Sequence, residues 1–153
     1  MSKPTLFMLI GVPGSGKTTW IKNHSHDAVV LSTDDYIEGV AAKQGLTYND
    51  VFKDAMGGAT ANLKRELNKA IAADQDIIWD QTNLTVKSRR DKLKMIPDSY
   101  HKVAVFFGVP KDLRDRLASR PGKTIPEPVI LTMINQLTPP TKEEGFDDIV
   151  YAS

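Results

Sequence analysis

The stretch GVPGSGKTTW, Gly11–Trp20, decides the fold. It contains the complete pattern G-x-x-x-x-G-K-[ST], whose fixed positions are held by Gly11, Gly16, Lys17 and Thr18. An apolar run precedes the pattern and a segment able to form a helix follows it, which is the context that the pattern requires. In such a turn several backbone N–H groups converge on phosphate oxygens, and the N-terminus of the following helix adds a partial positive charge. The stretch therefore predicts a nucleotide-binding phosphate loop, the P-loop.

The side chains of the P-loop have expected roles in holding a nucleoside triphosphate. Lys17 is expected to reach the β and γ phosphates, the Thr18 hydroxyl to hold Mg²⁺, and Thr19 to contact the α phosphate. The residues of this loop that we expect to bind the nucleotide are Gly14, Ser15, Gly16, Lys17, Thr18 and Thr19. The predicted cofactors are therefore ATP, or another nucleoside triphosphate, and Mg²⁺.

Length, charge and cysteine content limit what else the chain can do. Its 153 residues, of which 41% are hydrophobic, suffice for one core, and we predict a single domain over residues 1–153. The net charge of +1 gives no field strong enough to coat duplex DNA, so any contact with nucleic acid must be local. The absence of cysteine excludes disulfides and thiolate nucleophiles. The apolar run at 5–10 is too short for a signal peptide or a membrane span, and we expect a soluble, cytoplasmic protein with no membrane partner.

Apolar runs alternate with helical patterns along the chain. The runs at 5–10, 28–31, 77–79 and 103–107 consist almost entirely of apolar residues, as expected for strands buried on both faces of a parallel sheet. Over 52–71 apolar residues recur every three or four positions, which predicts an amphipathic helix that Gly57 and Gly58 kink or split. The alternation predicts an α/β fold in which helices flank a central parallel sheet and ligands bind beyond the carboxyl ends of the strands.

Polar residues stand where two of the predicted strands end. Ser32–Asp35 follow the second apolar run, and Asp80–Asn83 follow the third. In a kinase a carboxylate must lie within hydrogen-bond reach of the acceptor hydroxyl and take its proton as the phosphate is transferred. Asp34 is the candidate for this base. Aspartate and serine are also good helix N-caps, so the pattern leaves open that Asp34 or Asp35 caps the next helix while the other reacts.

Two other classes of P-loop protein fit the sequence less well. A GTPase is expected to carry an Asn-Lys-x-Asp guanine reader, and the nearest run, at 68–71, has Ile71 in place of the aspartate. Motor ATPases usually have a larger domain. Asp34 and Asp35 lie only one short helix and one strand beyond the P-loop, where small kinases bind their acceptor. The sequence favours a kinase.

Two clusters of basic residues are candidates for binding phosphate. The first consists of Arg114, Arg116, Arg120 and Lys123. Because it lies just before or within a glycine-containing segment, it could fold over the phosphates as a lid, or it could be an ordinary charged helix face. The second consists of Lys87, Arg89, Arg90, Lys92 and Lys94. It could bind the backbone phosphates of an acceptor strand, or it could be a solvated helix face.

Five segments in order resemble the kinase domain of the polynucleotide 5′-hydroxyl kinases, the end-healing enzymes of bacteriophages and of animal DNA repair. The segments are GVPGSGKTTW, STDDY, WDQTNLTVKSRRDKL, VFFGVPKDLRDRLASRPGKTIP and QLTPPTKEEGFDDIV, and they extend over most of the chain. The resemblance implies a P-loop kinase fold with a helical lid. It also implies transfer of the γ phosphate of ATP to the 5′-hydroxyl of DNA or RNA, at a single-stranded or exposed end.

The resemblance assigns roles to individual residues. Asp34 stands where the family places its general base, and Arg120 stands where a lid arginine touches the phosphoryl group in transfer. Arg116, one helical turn earlier, resembles a second lid arginine, and Asp80 resembles the acidic residue that closes its strand. The residues expected to take part in catalysis are thus Lys17, Asp34 and Arg120, with Arg116 and Arg120 also on the nucleotide, and those expected on the acceptor side are Asp34, Asp35, Thr82 and Asn83.

The sequence departs from the family pattern in two places. Some phage members hold the acceptor phosphate with an arginine shortly after the base, whereas the matching position here is Ile37, and animal members also lack that arginine. Bifunctional members carry an Asp-x-Asp-Gly-Thr phosphatase motif, whereas here Asp74–Asp76 leads into Ile77, so no phosphatase activity is expected. The alternatives left open are a kinase for a hydroxymethylated base in DNA, a small-metabolite kinase and a nonenzymatic nucleotide-binding protein.

Overall fold

Five parallel strands form the central sheet in the computed structural model, which describes residues 3–24 and 27–152. In chain order they are β1 (Thr5–Ile10), β2 (Val29–Leu31), β3 (Ile77–Trp79), β4 (His101–Phe107) and β5 (Asp148–Ala152). Their order across the sheet is β2-β3-β1-β4-β5, and every neighbouring pair is parallel. The α/β fold with a central parallel sheet, predicted from the sequence, is confirmed.

The central strand, β1, is buried on both faces. Leu6 packs on one face in a cluster with Trp79, and Leu9 packs on the other face in a cluster with Ile78. This double burial explains why the predicted strands were apolar runs and not alternating patterns. β5 was not predicted, because it is an edge strand whose side chains are only partly covered and whose sequence lacks such a run.

Helices flank the sheet and follow the predicted alternation. They are α1 (Lys17–His24), α2 (Thr33–Gln44), α3 (Tyr48–Ala72), α4 (Val86–Leu93), α5 (Leu113–Ala118) and α6 (Glu127–Gln136), and a single turn of 3-10 helix lies at Lys142–Glu144. α1 begins within the P-loop and α2 begins just after β2, so both helix N-termini lie at the carboxyl edge of the sheet. This edge is where ligands bind in open α/β sheets.

The helix predicted over 52–71 is α3, and it is longer than expected and unbroken. Of the prediction that Gly57 and Gly58 kink or split this helix, the split is wrong, because both glycines lie inside a continuous helix of 25 residues. Gly58 instead allows α2 and α3 to approach closely, since a Cβ atom at this position would lie 2.7 Å from the hydroxyl oxygen of Tyr36. Glycine here serves the packing of two helices and not the end of one.

Candidate active site

The P-loop folds as a tight turn at the end of β1. Gly14 and Gly16 have φ angles of +82° and +109°, which residues with a side chain rarely adopt. The Lys17 ammonium group lies under the turn and donates hydrogen bonds to the carbonyl oxygens of Gly11 (2.7 Å) and Val12 (3.1 Å). The lysine is thereby held beside the space that the loop encloses.

The charge of Lys17 is poorly solvated. Burial lowers the pKa of Lys17 to about 8, although the carboxylates of Asp80 and Asp34 act in the opposite direction. A triphosphate in the loop would add negative charge beside this ammonium group and favour its protonated form. Lys17 is thus suited to bind phosphate at neutral pH.

A cavity of about 610 Å³ runs from the P-loop to the start of α2. Its lining contains most of the residues that the sequence nominated: Gly14, Gly16, Lys17, Thr18, Thr19, Asp34, Asp35, Asp80, Thr82, Arg116, Arg120 and Lys123. Ser15 does not line it and faces a separate cavity of about 440 Å³ beside Trp20 and Tyr151. Residues that are distant in the sequence therefore meet in one cleft that joins the phosphate loop to the candidate base.

Asp34 faces this cleft from the first turn of α2. Its Oδ1 accepts a hydrogen bond of 2.6 Å from the Tyr48 hydroxyl, and its Oδ2 lies 3.3 Å from the Lys123 ammonium. The helix is capped by Ser32, whose hydroxyl accepts a hydrogen bond of 3.2 Å from the Asp35 backbone. The capping alternative for Asp34 and Asp35 is therefore wrong, and the Asp34 carboxylate is available to the cleft.

Three further carboxylates stand close to Asp34. Burial, followed by the charges of Glu38 and Asp34, raises the pKa of Asp35. Burial also raises the pKa of Asp80 to about 6, although the nearby Lys17 ammonium opposes the shift. On the side of α2, the negative charges of these carboxylates thus exceed the positive charges that neutralise them. This excess favours cationic ligands or cationic side chains there.

The two predicted acceptor residues after β3 have different surroundings. Thr82 lines the cleft as expected. Asn83 does not, and its placement on the acceptor side must be corrected: it is only 2% exposed, and its amide nitrogen donates to the carbonyl oxygens of Leu9 (2.7 Å) and Gln81 (3.2 Å). Its φ of +49° marks a sharp turn. Asn83 fastens the loop after β3 to β1 and so supports its neighbour Thr82.

The predicted lid arginines are not equivalent. Arg116 donates to the carbonyl oxygen of Gly14 (3.1 Å) and pairs with Asp112 (3.0 Å), which places it on the P-loop. Arg120 lines the cleft, and its Nη1 is a buried atom without a hydrogen-bond partner among the described residues. Arg114 is exposed and pairs with Glu127. The charged-face interpretation therefore fits Arg114, whereas Arg116 and Arg120 lie where a phosphate could reach them.

The second basic cluster, Lys87 to Lys94, does not form a continuous phosphate-binding face. Arg89 is 0% exposed, and its guanidinium pairs with both carboxylate oxygens of Glu144 at 2.7 and 3.2 Å. Lys92 turns inward to the side-chain oxygen of Asn83, and burial lowers the pKa of Lys92 to about 8. The interpretation of the whole cluster as an acceptor-strand site is therefore wrong, because two of its cations hold the fold together.

A second cavity, of about 540 Å³, adjoins the cleft on the far side of Asp34. The two cavities share Pro13, Asp34, Asp80, Gln81, Thr82, Arg120 and Lys123. The rest of the second cavity has a mainly apolar wall, supplied by α3, by α6 and by the segment that leads into α6: Phe52, Met56, Ile125, Pro126, Val129 and Met133. We call this cavity the acceptor pocket, for the role that it has in the function proposed below. An apolar body can lie in it while a hydroxyl group reaches Asp34.

Some residues of the site were missed by sequence reasoning. Tyr48 and Phe52 belong to the first two turns of α3, and Asn49 between them binds the backbone of Thr124. The only signal in the sequence is that aromatic residues stand at the start of a long helix. The fold brings them to the site through the α2–α3 hairpin, which sequence periodicity does not position.

The cleft is suited to Mg²⁺ by the chemistry of its donors. The Thr18 hydroxyl and the carboxylates of Asp35 and Asp80 line the same cavity, and oxygen atoms of this kind, together with phosphate and water, are the ligands that Mg²⁺ prefers. Within residues 3–24 and 27–152 there is no group of three or more His, Cys, Asp or Glu side chains that could hold a metal by itself.

The chain is similar to a curated protein and to several solved structures. Heterogeneous nuclear ribonucleoprotein U-like protein 2 of Mus musculus is 25% identical over 158 residues, which cover 95% of this chain and 21% of that protein. The chain therefore spans about a fifth of the length of this curated relative.

No helix among the described residues has the length and apolar character needed to cross a membrane.

Solved structures share the fold. A chain of the Pnkp1/Rnl/Hen1 RNA repair complex superposes with a TM-score of 0.66 and 22% identity, over 90% of this chain and 45% of that chain. A sugar kinase from Janibacter sp. HTCC2649 superposes with a TM-score of 0.59 and 18% identity, over 97% of this chain and 85% of that chain. The P-loop kinase fold expected from the sequence is confirmed. The model of the family AAA_33, described as an AAA domain, matches residues 6–140, which contain the P-loop, Asp34 and Arg120, and the chain belongs to this family.

Proposed function

We propose that the protein transfers the γ phosphate of ATP, or of another nucleoside triphosphate, to the 5′-hydroxyl group of DNA or RNA. The observation that carries the proposal is the position of Asp34, whose carboxylate lies between the P-loop cleft and the apolar wall of the acceptor pocket. This arrangement provides a site for the triphosphate, a base for the acceptor hydroxyl and a surface for the acceptor itself.

On the nucleotide side, the P-loop receives the triphosphate. Lys17 exchanges its hydrogen bonds to Gly11 and Val12 for bonds to the β and γ phosphates, and Arg116 lies beside Gly14 at the edge of the loop. Nη1 of Arg120, which has no partner among residues 3–24 and 27–152, is a donor for charge that develops on the transferring phosphoryl group. Mg²⁺, held by the Thr18 hydroxyl and a nearby carboxylate, would neutralise phosphate charge when bound.

On the acceptor side, Asp34 takes the proton of the 5′-hydroxyl as its oxygen bonds to the γ phosphorus. The bond between that phosphorus and the β–γ bridging oxygen breaks, so the products are a 5′-phosphorylated end and the nucleoside diphosphate. Tyr48 and Lys123 hold the Asp34 carboxylate during this step.

The lining of the acceptor pocket favours a nucleoside over a sugar. A polyhydroxylated acceptor needs many hydrogen-bonding partners, whereas Phe52 and Met56 on one side and Val129 and Met133 on the other offer apolar surface. A nucleobase is flat and apolar on its faces, and its stacking on an aromatic side chain contributes about 1–3 kcal/mol. The resemblance of the ordered motifs to polynucleotide 5′-hydroxyl kinases supports the same choice.

The test is to offer the protein γ-labelled ATP, Mg²⁺ and a panel of acceptors. The panel contains 5′-hydroxyl and 5′-phosphorylated oligonucleotides of DNA and RNA, blocked DNA with hydroxymethylated bases, free nucleosides and a set of sugars. We expect label only on 5′-hydroxyl ends. Label on the blocked, base-modified strand would indicate a base kinase, label on a sugar would indicate a metabolite kinase, and either result overturns the proposal.

A further inference from the structure

The segment that carries Arg120 and Lys123 is fastened to the N-terminus of α3. Asn49, in the first turn of α3, donates from its backbone N–H to the carbonyl oxygen of Gly122 at 3.2 Å. Its side-chain amide pairs with both backbone groups of Thr124: Nδ2 donates to the carbonyl oxygen at 3.1 Å, and Oδ1 accepts from the N–H at 3.1 Å. One residue thus makes three hydrogen bonds to a segment more than 70 positions away.

The segment and the start of α3 are also closely packed, in addition to their hydrogen bonds. Gly122 has a φ of +69°, and a Cβ atom there would lie 2.8 Å from both Cβ and Cγ2 of Thr47. Thr47 itself is fixed, because it and Asp50 exchange the hydrogen bonds of a capping box at the start of α3. The Gly122 backbone therefore packs against the N-cap of α3, which the capping box holds in place.

The fastening determines where two cations stand. Lys123 reaches Asp34 at 3.3 Å and Glu38 at 3.1 Å, and its ammonium lies 4.5 Å from the ring centre of Tyr48. Arg120, on the other side of Gly122, keeps Nη1 buried in the site without a partner among the described residues. An unpaired buried donor is costly, so the surrounding backbone must hold it in place.

We propose that Asn49 is a positioning residue, which holds the segment 120–124 against α3 and so fixes Arg120 and Lys123 in the cleft before nucleotide binds. The role of the two cations in phosphoryl transfer rests on the proposed function, whereas the fastening itself does not. The segment expected to be a lid is then joined to the acceptor side of the site, and the acceptor pocket and the phosphate-binding arginine form one unit.

The first experiment measures the fastening without any reaction. Trypsin cleaves after Lys123, whereas the Arg120–Pro121 bond resists it, so the rate of cleavage at 123–124 reports how often the segment leaves α3. We expect Asn49→Ala to raise this rate about fivefold or more, as the loss of about 1 kcal/mol of hydrogen bonding implies. The matched control is Asn68→Ala, an exposed asparagine on the same helix. Equal cleavage of N49A and N68A would overturn the proposal.

A second measurement uses the unaltered protein, so it does not depend on the folding of a variant. The Thr124 amide donates to the Asn49 side chain, and we expect its hydrogen exchange to be slowed in the absence of nucleotide. Exchange at the rate of an unstructured peptide would overturn the proposal even if N49A proved unstable.

Kinetics then separate positioning from nucleotide binding. If Asn49 places Arg120, N49A lowers kcat for 5′-hydroxyl ends by about tenfold and leaves the KM for ATP within about twofold, since the P-loop is untouched. A kcat equal to that of N68A would overturn the positioning role. A protein that phosphorylates no 5′-hydroxyl end but protects Thr124 and Lys123 as expected would remove the proposed function and leave the fastening in place.

Discussion

The Tyr48 hydroxyl donates a hydrogen bond of 2.6 Å to Oδ1 of Asp34. The pair joins the start of α3 to the start of α2, across the α2–α3 hairpin. Burial, and then the bond to Asp34, raises the pKa of Tyr48, so the phenol stays protonated and remains a donor throughout the neutral range. The Asp34 carboxylate is therefore oriented by a group that cannot compete with it for the acceptor proton.

Removal of this hydroxyl should slow transfer without disturbing the fold. We expect Tyr48→Phe to lower kcat by about tenfold, because the ring keeps its packing while Asp34 loses one of its two partners. The matched control is Tyr36→Phe, which alters a tyrosine packed against Gly58. Steady-state kinetics with saturating ATP measure the effect, and equal kcat values for Y48F and Y36F would show that the bond does not orient the base.

Neutralising the candidate base should remove transfer but not nucleotide binding. Asp34→Asn keeps the size of the side chain and loses the capacity to take a proton, so we expect kcat to fall by about 10²- to 10⁴-fold. The dissociation constant for ATP, measured by calorimetry, should change by less than about threefold, since the P-loop residues are intact. Asp54→Asn, on the exposed face of α3, serves as control. Normal turnover by the D34N protein would mean that another group acts as the base.

The apolar wall of the acceptor pocket can be tested separately from the chemistry. Phe52 is 43% exposed, so Phe52→Ala should cost little stability, yet it removes the largest flat side chain of the wall. We expect the KM for a 5′-hydroxyl oligonucleotide to rise about tenfold, because base–aromatic stacking is lost, and the KM for ATP to stay unchanged. Leu131→Ala, at a 52% exposed site outside the pocket, is the control. An unchanged acceptor KM in F52A would place the acceptor elsewhere.

The two adjacent glycines of α3 should respond differently to the same substitution. A Cβ atom at Gly57 meets nothing within 4 Å, so Gly57→Ala should stabilise the protein by about 0.5–1 kcal/mol through helix propensity. At Gly58 the Cβ atom would collide with Tyr36, and this offsets the gain. We expect G58A to be less stable than G57A by about 1 kcal/mol or more in urea unfolding. Equal unfolding midpoints would mean that the end of the Tyr36 side chain can move aside at no cost.

The buried pair of Arg89 and Glu144 should make stability depend on pH. Burial alone would raise the pKa of Glu144, but hydrogen bonds from Arg89 and Thr141 outweigh it and hold this pKa below the ordinary value of 4.5. The stabilisation is thus complete above pH 4.5 and is lost as the pH falls through the lower pKa of the folded state. Glu144→Gln should cost about 3 kcal/mol near pH 7, and the difference from wild type should shrink below pH 4.5. A constant difference between pH 7 and pH 3 would contradict this account.

Local patterns in the sequence predicted the parts of the site that depend on the nearby backbone. The P-loop needs glycines at fixed spacing, and Asp34 follows a strand whose end points to the same edge. Both are therefore readable from a few neighbouring residues. The fold class follows from the apolar runs for the same reason, since the runs that form the inner strands pack on both faces of the sheet.

The remaining features depend on contacts between distant segments. Asn83 looks like a polar residue at a strand end, and only its turn, with a φ of +49°, directs it into the protein. Arg89 stands in a basic run that resembles a solvated face, and its burial follows from the arrival of Glu144 55 positions later. Asn49 carries no local signal, and the only signal for Tyr48 is its place as an aromatic residue at the start of a long helix. Helical periodicity locates a face, but the partner of that face is set by the hairpin.

The ion pair between Arg89 and Glu144 is connected to the cleft, because Arg89 also binds the backbone next to a residue that lines the cleft. Arg89 also donates to the carbonyl oxygens of Asn83 and Leu84, both at 3.0 Å, immediately after Thr82. A recombinant fragment ending at residue 140, where the family match ends, would lack the Glu144 carboxylate. The Arg89 guanidinium would then lie in the interior without its ion-pair partner. Expression designs and domain fusions should therefore place their junction beyond the last strand.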